Sequence, residues 1–175
     1  MMKAEYINPF IKSIDNAIQT TLNMTPEASA PYIKKDNLTS GDVSGVIGFA
    51  DKNCLGAVAL SFPAGTAVVV FNAMMGGVAE KVTKITPEVQ DAVGELANIV
   101  AGGATSEFSQ NGINFNLAIP TVVLGRQHKI IQDIEVPTVV VPMKIDGHPF
   151  AMEICMKIKS DNGGNEDGQD AAIQS

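Results

Sequence analysis

The stretch from Thr86 to Gly112 constrains the fold most, because it reads as one long amphipathic helix with a marked start and stop. Thr86 can cap free backbone N–H groups, Pro87 fits a first helical turn, and the early acid Glu88 suits the positive end of the helix dipole. Asn111-Gly112 supplies the stop. At 3.6 residues per turn, Val89, Val93, Leu96, Val100, Ala104 and Phe108 share one face, while Asp91, Glu95, Asn98, Gly102 and Thr105 share the other. Glu95 and Asn98 therefore project together.

A carboxylate and a carboxamide one turn apart form a small chemical tool. The acid can grip a cation on a partner, and the amide can both donate to and accept from one water molecule. Neither is a nucleophile in this setting. The same spacing also describes an ordinary solvated helix face. A Glu-x-x-Asn pair arises by chance about 0.3 to 0.5 times in a chain of this length, and Glu5 and Asn8 form a second one. Spacing alone leaves both readings open.

Composition narrows the classes. With 175 residues, 45% hydrophobic and 18% charged, the chain can bury a sizeable core, and its length fits a single domain over 1–159 with a tail. A net charge of -7 without clustered Lys or Arg argues against nucleic-acid binding, and no polybasic membrane patch is visible. The uncharged run from Asn53 to Ala79 is broken by Pro63, Gly65, Asn72 and Gly76-Gly77, so membrane insertion is not expected. No signal peptide is visible at the start, and the expected compartment is the cytoplasm. Cys54 and Cys155 sit among apolar residues and read as buried free thiols. His128 and His148 have no partners at metal-ligand spacing, so no zinc site is expected.

Tyr6, Phe10, Ile14, Ile18 and Leu22 recur at helical intervals and predict an opening helix to about Met24, before the turn at Thr25-Pro26. From Tyr32 to Phe62, three short stretches are bounded by Ser40-Gly41-Asp42 and Asp51-Lys52-Asn53. Alternation runs through Val43, Gly45, Ile47 and Phe49, then Leu55, Ala57, Ala59 and Phe62, predicting a three-stranded meander. Pro63 to Thr66 opens a second, well-buried helix that stops at Gly76-Gly77. Ala118 to Leu124, Lys129 to Val141 and Pro149 to Lys159 read as strands, with a hairpin turn at Asp146-Gly147 and bends or edge positions at Pro137 and Pro142. Residues 160–175 have almost nothing to bury and are expected to be a disordered polar tail. The order predicts an α+β domain with helices packed on an antiparallel sheet.

The run Gly94-Glu95-Leu96-Ala97-Asn98-Ile99-Val100-Ala101-Gly102-Gly103 resembles the signature of the CheC/CheX family of chemotaxis phosphatases. There an Asp or Ser is followed by x-x-x-Glu-x-x-Asn and, further on, by Pro. Asp91, Glu95, Asn98 and Pro120 match in order. The resemblance extends to Asn8-Pro9-Phe10, Gly45-Val46-Ile47-Gly48, Leu60-Ser61-Phe62-Pro63 and Met74-Met75-Gly76-Gly77. CheC members usually carry two signatures and CheX members one. Glu5-x-x-Asn8 lacks the upstream acid and the following small residues, so the chain is more similar to CheX.

The resemblance implies a three-layer fold, often a homodimer through edge strands, and hydrolysis of the aspartyl phosphate on a CheY-like response regulator. Asn98 would hold the attacking water and Glu95 would pair with the receiver's lysine. Asp91 would support that anchor or simply favour the helix start. Gly102 would admit the partner or serve helix packing, and Pro120 would shape the entry to a strand. No cofactor of its own is implied, magnesium being expected on the receiver. The contrasting reading is a non-catalytic adaptor, as in the flagellar switch proteins of this fold, or a structural dimer.

Overall fold

The computed structural model describes residues 4–35, 39, 41–77, 80–126, 128 and 136–158. Helix α1 (Ala4–Leu22) opens the chain and is followed by two short strands, β1 (Pro26–Ala28) and β2 (Tyr32–Ile33). Strands β3 (Val43–Ala50) and β4 (Cys54–Phe62) lead to α2 (Ala64–Met74) and then to the long α3 (Pro87–Ser109). Strands β5 (Asn116–Leu117), β6 (Thr121–Leu124), β7 (Val139–Ile145) and β8 (His148–Ile158) complete the order. The α+β expectation holds: the strands form one eight-stranded sheet in the order β1-β7-β8-β4-β3-β5, with β2 also on β7 and β6 also on β3. Every pairing is antiparallel.

Local chemistry explains the turns. Asn53 N–H donates to the Asp51 side chain at 2.8 Å, closing the β3–β4 hairpin. Asp146 (φ 49°) and Gly147 (φ 78°) close the β7–β8 hairpin with the left-handed pair that a two-residue turn requires. Pro142 lies inside β7, opposite Ala151 of β8. On its other side β7 pairs with β2 up to Val140 and with β1 from Met143, so the proline falls where neither short strand needs its missing N–H.

Several expectations are corrected. The segment from Tyr32 to Phe62 is not a three-stranded meander, because β2 pairs with β7 and not with β3. The helix-facing residues of β4 are Cys54, Val58, Leu60 and Phe62, which join the main core, whereas Leu55, Ala57 and Ala59 point the other way. This central strand is buried on both faces, so its sequence alternation does not reveal which face meets the helices. Helix α2 is buried only along Thr66, Ala67, Val70 and Phe71. The strand expected from Ala118 to Leu124 is split by residues 118–120, and that expected from Lys129 begins at Val139 among the described residues, with 129–135 outside them. The tail at 160–175 also lies outside them.

One apolar cluster joins the three helices to the near face of the sheet, through Phe10, Ile14, Ile18, Val70, Leu96, Val100, Ile47, Leu60 and Met152 among others. Four aromatic rings tie α1, β3 and the end of α3 together: Phe10 lies 5.4 Å from Phe49 and 5.7 Å from Phe108, and Phe115 lies 5.0 Å from Phe49 and 5.1 Å from Phe108. Such pairs contribute beyond the area they bury, by about 0.5–1.5 kcal/mol each.

Cys54 and Cys155 are buried thiols that form no disulfide. Burial, aided by the negative charge of Asp51, pushes the Cys54 thiol up to about 11, and burial also raises Cys155. Raised values favour the thiol form, so alkylation by iodoacetamide at pH 8 should be slow in the folded protein and fast in urea. Because the folded Cys54 holds its proton more tightly than the ordinary 9.0, the associated stability is intact below pH 9 and is lost as pH rises through 11. Denaturant midpoints measured from pH 8 to pH 11 check this sign.

Candidate functional site

The candidate site is the outer face of α3, and its value depends on how firmly that helix is held. Thr86 caps the start, its hydroxyl oxygen accepting from the Val89 N–H at 3.4 Å. The Thr86 hydroxyl and a backbone N–H together hold the Glu88 carboxyl below its usual range. The approach to the cap is fixed by Asn72 of α2. Its amide donates to the Val82 carbonyl at 3.0 Å and accepts from the Val82 N–H at 3.1 Å, imitating a strand pairing with one side chain.

Two glycines set the depth of the helix. A Cβ on Gly45 of β3 would stand 2.8 Å from the Val93 carbonyl oxygen and 2.9 Å from the Ala97 Cβ, so α3 rests directly on strand backbone. Behind the helix, Ser13 of α1 donates to the Val100 carbonyl at 2.8 Å, and a Cβ on Gly103 would collide with that same hydroxyl. Gly45→Ala should therefore cost about 1–3 kcal/mol through overpacking, read as a lower urea midpoint, with the outer face of α3 displaced along with it.

On that outer face, Asp91, Glu95 and Asn98 are all exposed. Among the described residues none forms a hydrogen bond or ion pair with these three side chains. Gly102, next along the stripe, has no atom within 4 Å of the position a Cβ would take. The packing reading of the glycine pair thus belongs to Gly103, and Gly102 leaves open space beside Asn98. Pro120 is half-buried and lies immediately before β6 begins at Thr121. Strand β6 runs beside the helix, where the Val122 Cγ2 would be 3.0 Å from a Cβ on Gly94.

Asp91, Glu95 and Asn98 therefore form one exposed stripe that the half-buried Gly102 continues, and Pro120 belongs to the strand edge alongside it. Gly45, Gly103, Ser13 and Asn72 fix the helix; Gly45 and Gly103 lie in the segments that carry the family resemblance, Asn72 stood out only as a break in an uncharged run, and nothing in the sequence marks Ser13. Among the described residues no group of three or more His, Cys, Asp or Glu could hold a metal ion. No helix among them is long and apolar enough to cross a membrane.

The sequence pattern of the family described as chemotaxis phosphatase CheX matches residues 43–144, from β3 into β7. The chain belongs to the CheX family. A curated member, the CheY-P phosphatase CheX of Thermotoga maritima, is 30% identical over 129 residues, covering 74% of this chain and 81% of that protein. Among solved structures, a CheC-like superfamily protein from a Shewanella species is 36% identical with a TM-score of 0.81, covering 89% of this chain and 99% of its own. The chemotaxis protein CheX of Vibrio vulnificus is 33% identical with a TM-score of 0.79, covering 87% and 99%. The CheX match contains Asp91, Glu95, Asn98, Gly102 and Pro120 together with Gly45.

Proposed function

We propose that this CheX-family chain hydrolyses the aspartyl phosphate of a CheY-like receiver domain, with Asn98 orienting the attacking water and Glu95 holding the receiver's lysine. The observation that carries the reading is the exposure of Glu95 and Asn98, without partners among the described residues, on a helix fixed from both sides. An enzyme acting on another folded protein needs its working groups free to enter that protein's site, on an element that does not yield.

The chemistry is a displacement at phosphorus. Water adds to the phosphoryl group as the bond to the aspartyl oxygen breaks, leaving the receiver's carboxylate and inorganic phosphate. Magnesium on the receiver supplies charge stabilisation for the phosphoryl oxygens. This chain supplies position. The Asn98 carbonyl oxygen accepts a hydrogen bond from the water while its NH₂ group can steady the phosphoryl oxygens. A carboxylate in its place would repel those oxygens. Glu95, one turn earlier, pairs with the receiver's ammonium group and fixes the register of α3 over the phosphorylation pocket.

Asp91 reinforces the negative field around Glu95, Gly102 admits the partner's backbone next to Asn98, and Pro120 sets where β6 starts beside the helix. The chain works as a homodimer through a free sheet edge, and the β2 edge carries exposed Tyr32 and Ile33. It brings no cofactor of its own and acts in the cytoplasm, where receiver domains are found. Affinity for a beryllofluoride-loaded receiver tests the anchor: Glu95→Ala should weaken it strongly and Asn98→Ala little. Equal, small effects from both would remove this division of labour. Retained binding without any hydrolysis by the intact chain would favour the adaptor reading.

A further inference from the structure

We infer that Ile119 is an apolar docking anchor for the receiver, placed on the sheet edge beside Asn98; the inference rests on the phosphatase reading above. Ile119 is 88% exposed, against 54% for Tyr32, the next most exposed large apolar residue described. A large aliphatic side chain standing this far into water loses free energy that burial in a partner would return.

The backbone that presents it is fixed on both sides. Leu117 pairs with Phe49 and Thr121 with Val46, both across β3, and the Ala118 N–H donates to the Gly48 carbonyl at 2.8 Å. Pro120 locks the next φ angle. Little backbone freedom remains to be lost when a partner covers the side chain.

Its position follows from register. Val122 pairs with Gly45 and touches α3 at Gly94, so this side of the helix faces the β6 edge. At 100° per residue, Asn98 is turned only about 40° from Gly94, and Asp91 about 60°, toward solvent over that edge. Gly45 lies under Val93 and Ala97, and the aromatic cluster joins Phe49 to Phe108 through Phe115, so α3 and β3 run in the same sense. Gly48, against which Ala118 sits, is about 10 Å beyond Gly45 along the strand, or about seven residues of helix rise. Ile119 therefore stands level with Asn98 and the open space at Gly102.

The occupant is the phosphorylated receiver and not a second copy of this chain. A copy seated at this edge would cover Asn98, whereas a receiver whose phosphate reaches Asn98 must bring the surroundings of its phosphorylation pocket onto Ile119. The complementary feature is an apolar side chain next to the phosphorylated aspartate.

Steady-state hydrolysis of a magnesium-bound phosphorylated receiver by Ile119→Ser and Ile119→Asp tests this. KM should rise about ten- to a hundred-fold with little change in kcat, and Ile119→Leu should restore KM. Melting temperatures should not change, because the side chain touches solvent. An unchanged KM in both polar variants, with hydrolysis still lost in Asn98→Ala, would overturn the docking role and leave the phosphatase reading standing. A switch from dimer to monomer by sedimentation at unchanged KM would assign the residue to self-association and also overturn it. Weakened binding in the Ile119 variants together with full activity in Asn98→Ala would instead retain the anchor and reject the proposed chemistry.

Discussion

Replacing Asn98 with alanine is expected to slow receiver dephosphorylation by about 10²- to 10³-fold, the loss typical of removing one well-placed polar group from a reacting centre. That corresponds to about 3–4 kcal/mol of transition-state stabilisation. The fold should not suffer. Asn98 is exposed, has no partner among the described residues, and occupies a helix interior in which alanine is favoured by a few tenths of a kcal/mol. Loss of rate at an unchanged or slightly raised melting temperature is thus the signature of a chemical role. Asn98→Asp, nearly the same shape, should be at least as inactive, because its charge faces the phosphoryl oxygens.

The second large effect is on stability and arises on the opposite face of the sheet. Lys34, just after β2, meets Glu153 of β8 at 2.6 Å, and only 11% and 6% of their side chains are exposed. Lys34→Met should destabilise the protein by about 3–5 kcal/mol, since it strands a buried carboxylate beside Val140 and Ala59. Removing both charges with Lys34→Met and Glu153→Met should recover most of that loss, because desolvation of the pair offsets much of its attraction. Chemical denaturation of the single and double variants forms a cycle that isolates the coupling. Losses that simply add would show that the pair contributes nothing as a pair. Catalysis should be untouched in folded material, as the pair lies behind the sheet and the stripe lies in front of it.

The contrast between these two regions shows what the sequence can and cannot disclose. Helix α3 was legible because its information is local: a Thr-Pro-Glu start, a glycine stop and a 3.6-residue stripe lie within one continuous segment. The exposure of Asp91, Glu95 and Asn98 followed from the same stripe. Strand partners were not legible, because pairing joins residues far apart, as when Tyr32 meets Val140 or Lys34 meets Glu153. Nothing in the local pattern of β2 distinguishes β7 from the nearer β3.

Burial on both faces hid the orientation of β4. On the sheet face away from the helices, small and polar residues such as Ser44, Ala59 and Ser61 are as inaccessible as the large apolar ones on the other. The break at 118–120 was likewise masked, since Ala118 to Leu124 reads as one apolar run and Pro120 alone marks the interruption that presents Ile119. The roles of the two adjacent glycines, Gly102 facing open space and Gly103 against Ser13, depend on where α1 crosses the helix. Helical spacing placed Glu95 and Asn98 together, whereas family resemblance suggested what such a pair would do.

The most direct test of the central claim is the lifetime of the aspartyl phosphate on a CheY-like receiver in magnesium, measured alone, with the intact chain and with Asn98→Ala at concentrations that saturate binding. A lifetime shortened by the intact chain and restored to the receiver's own value by the variant is the predicted result. Equal shortening by the intact chain and the variant would contradict it.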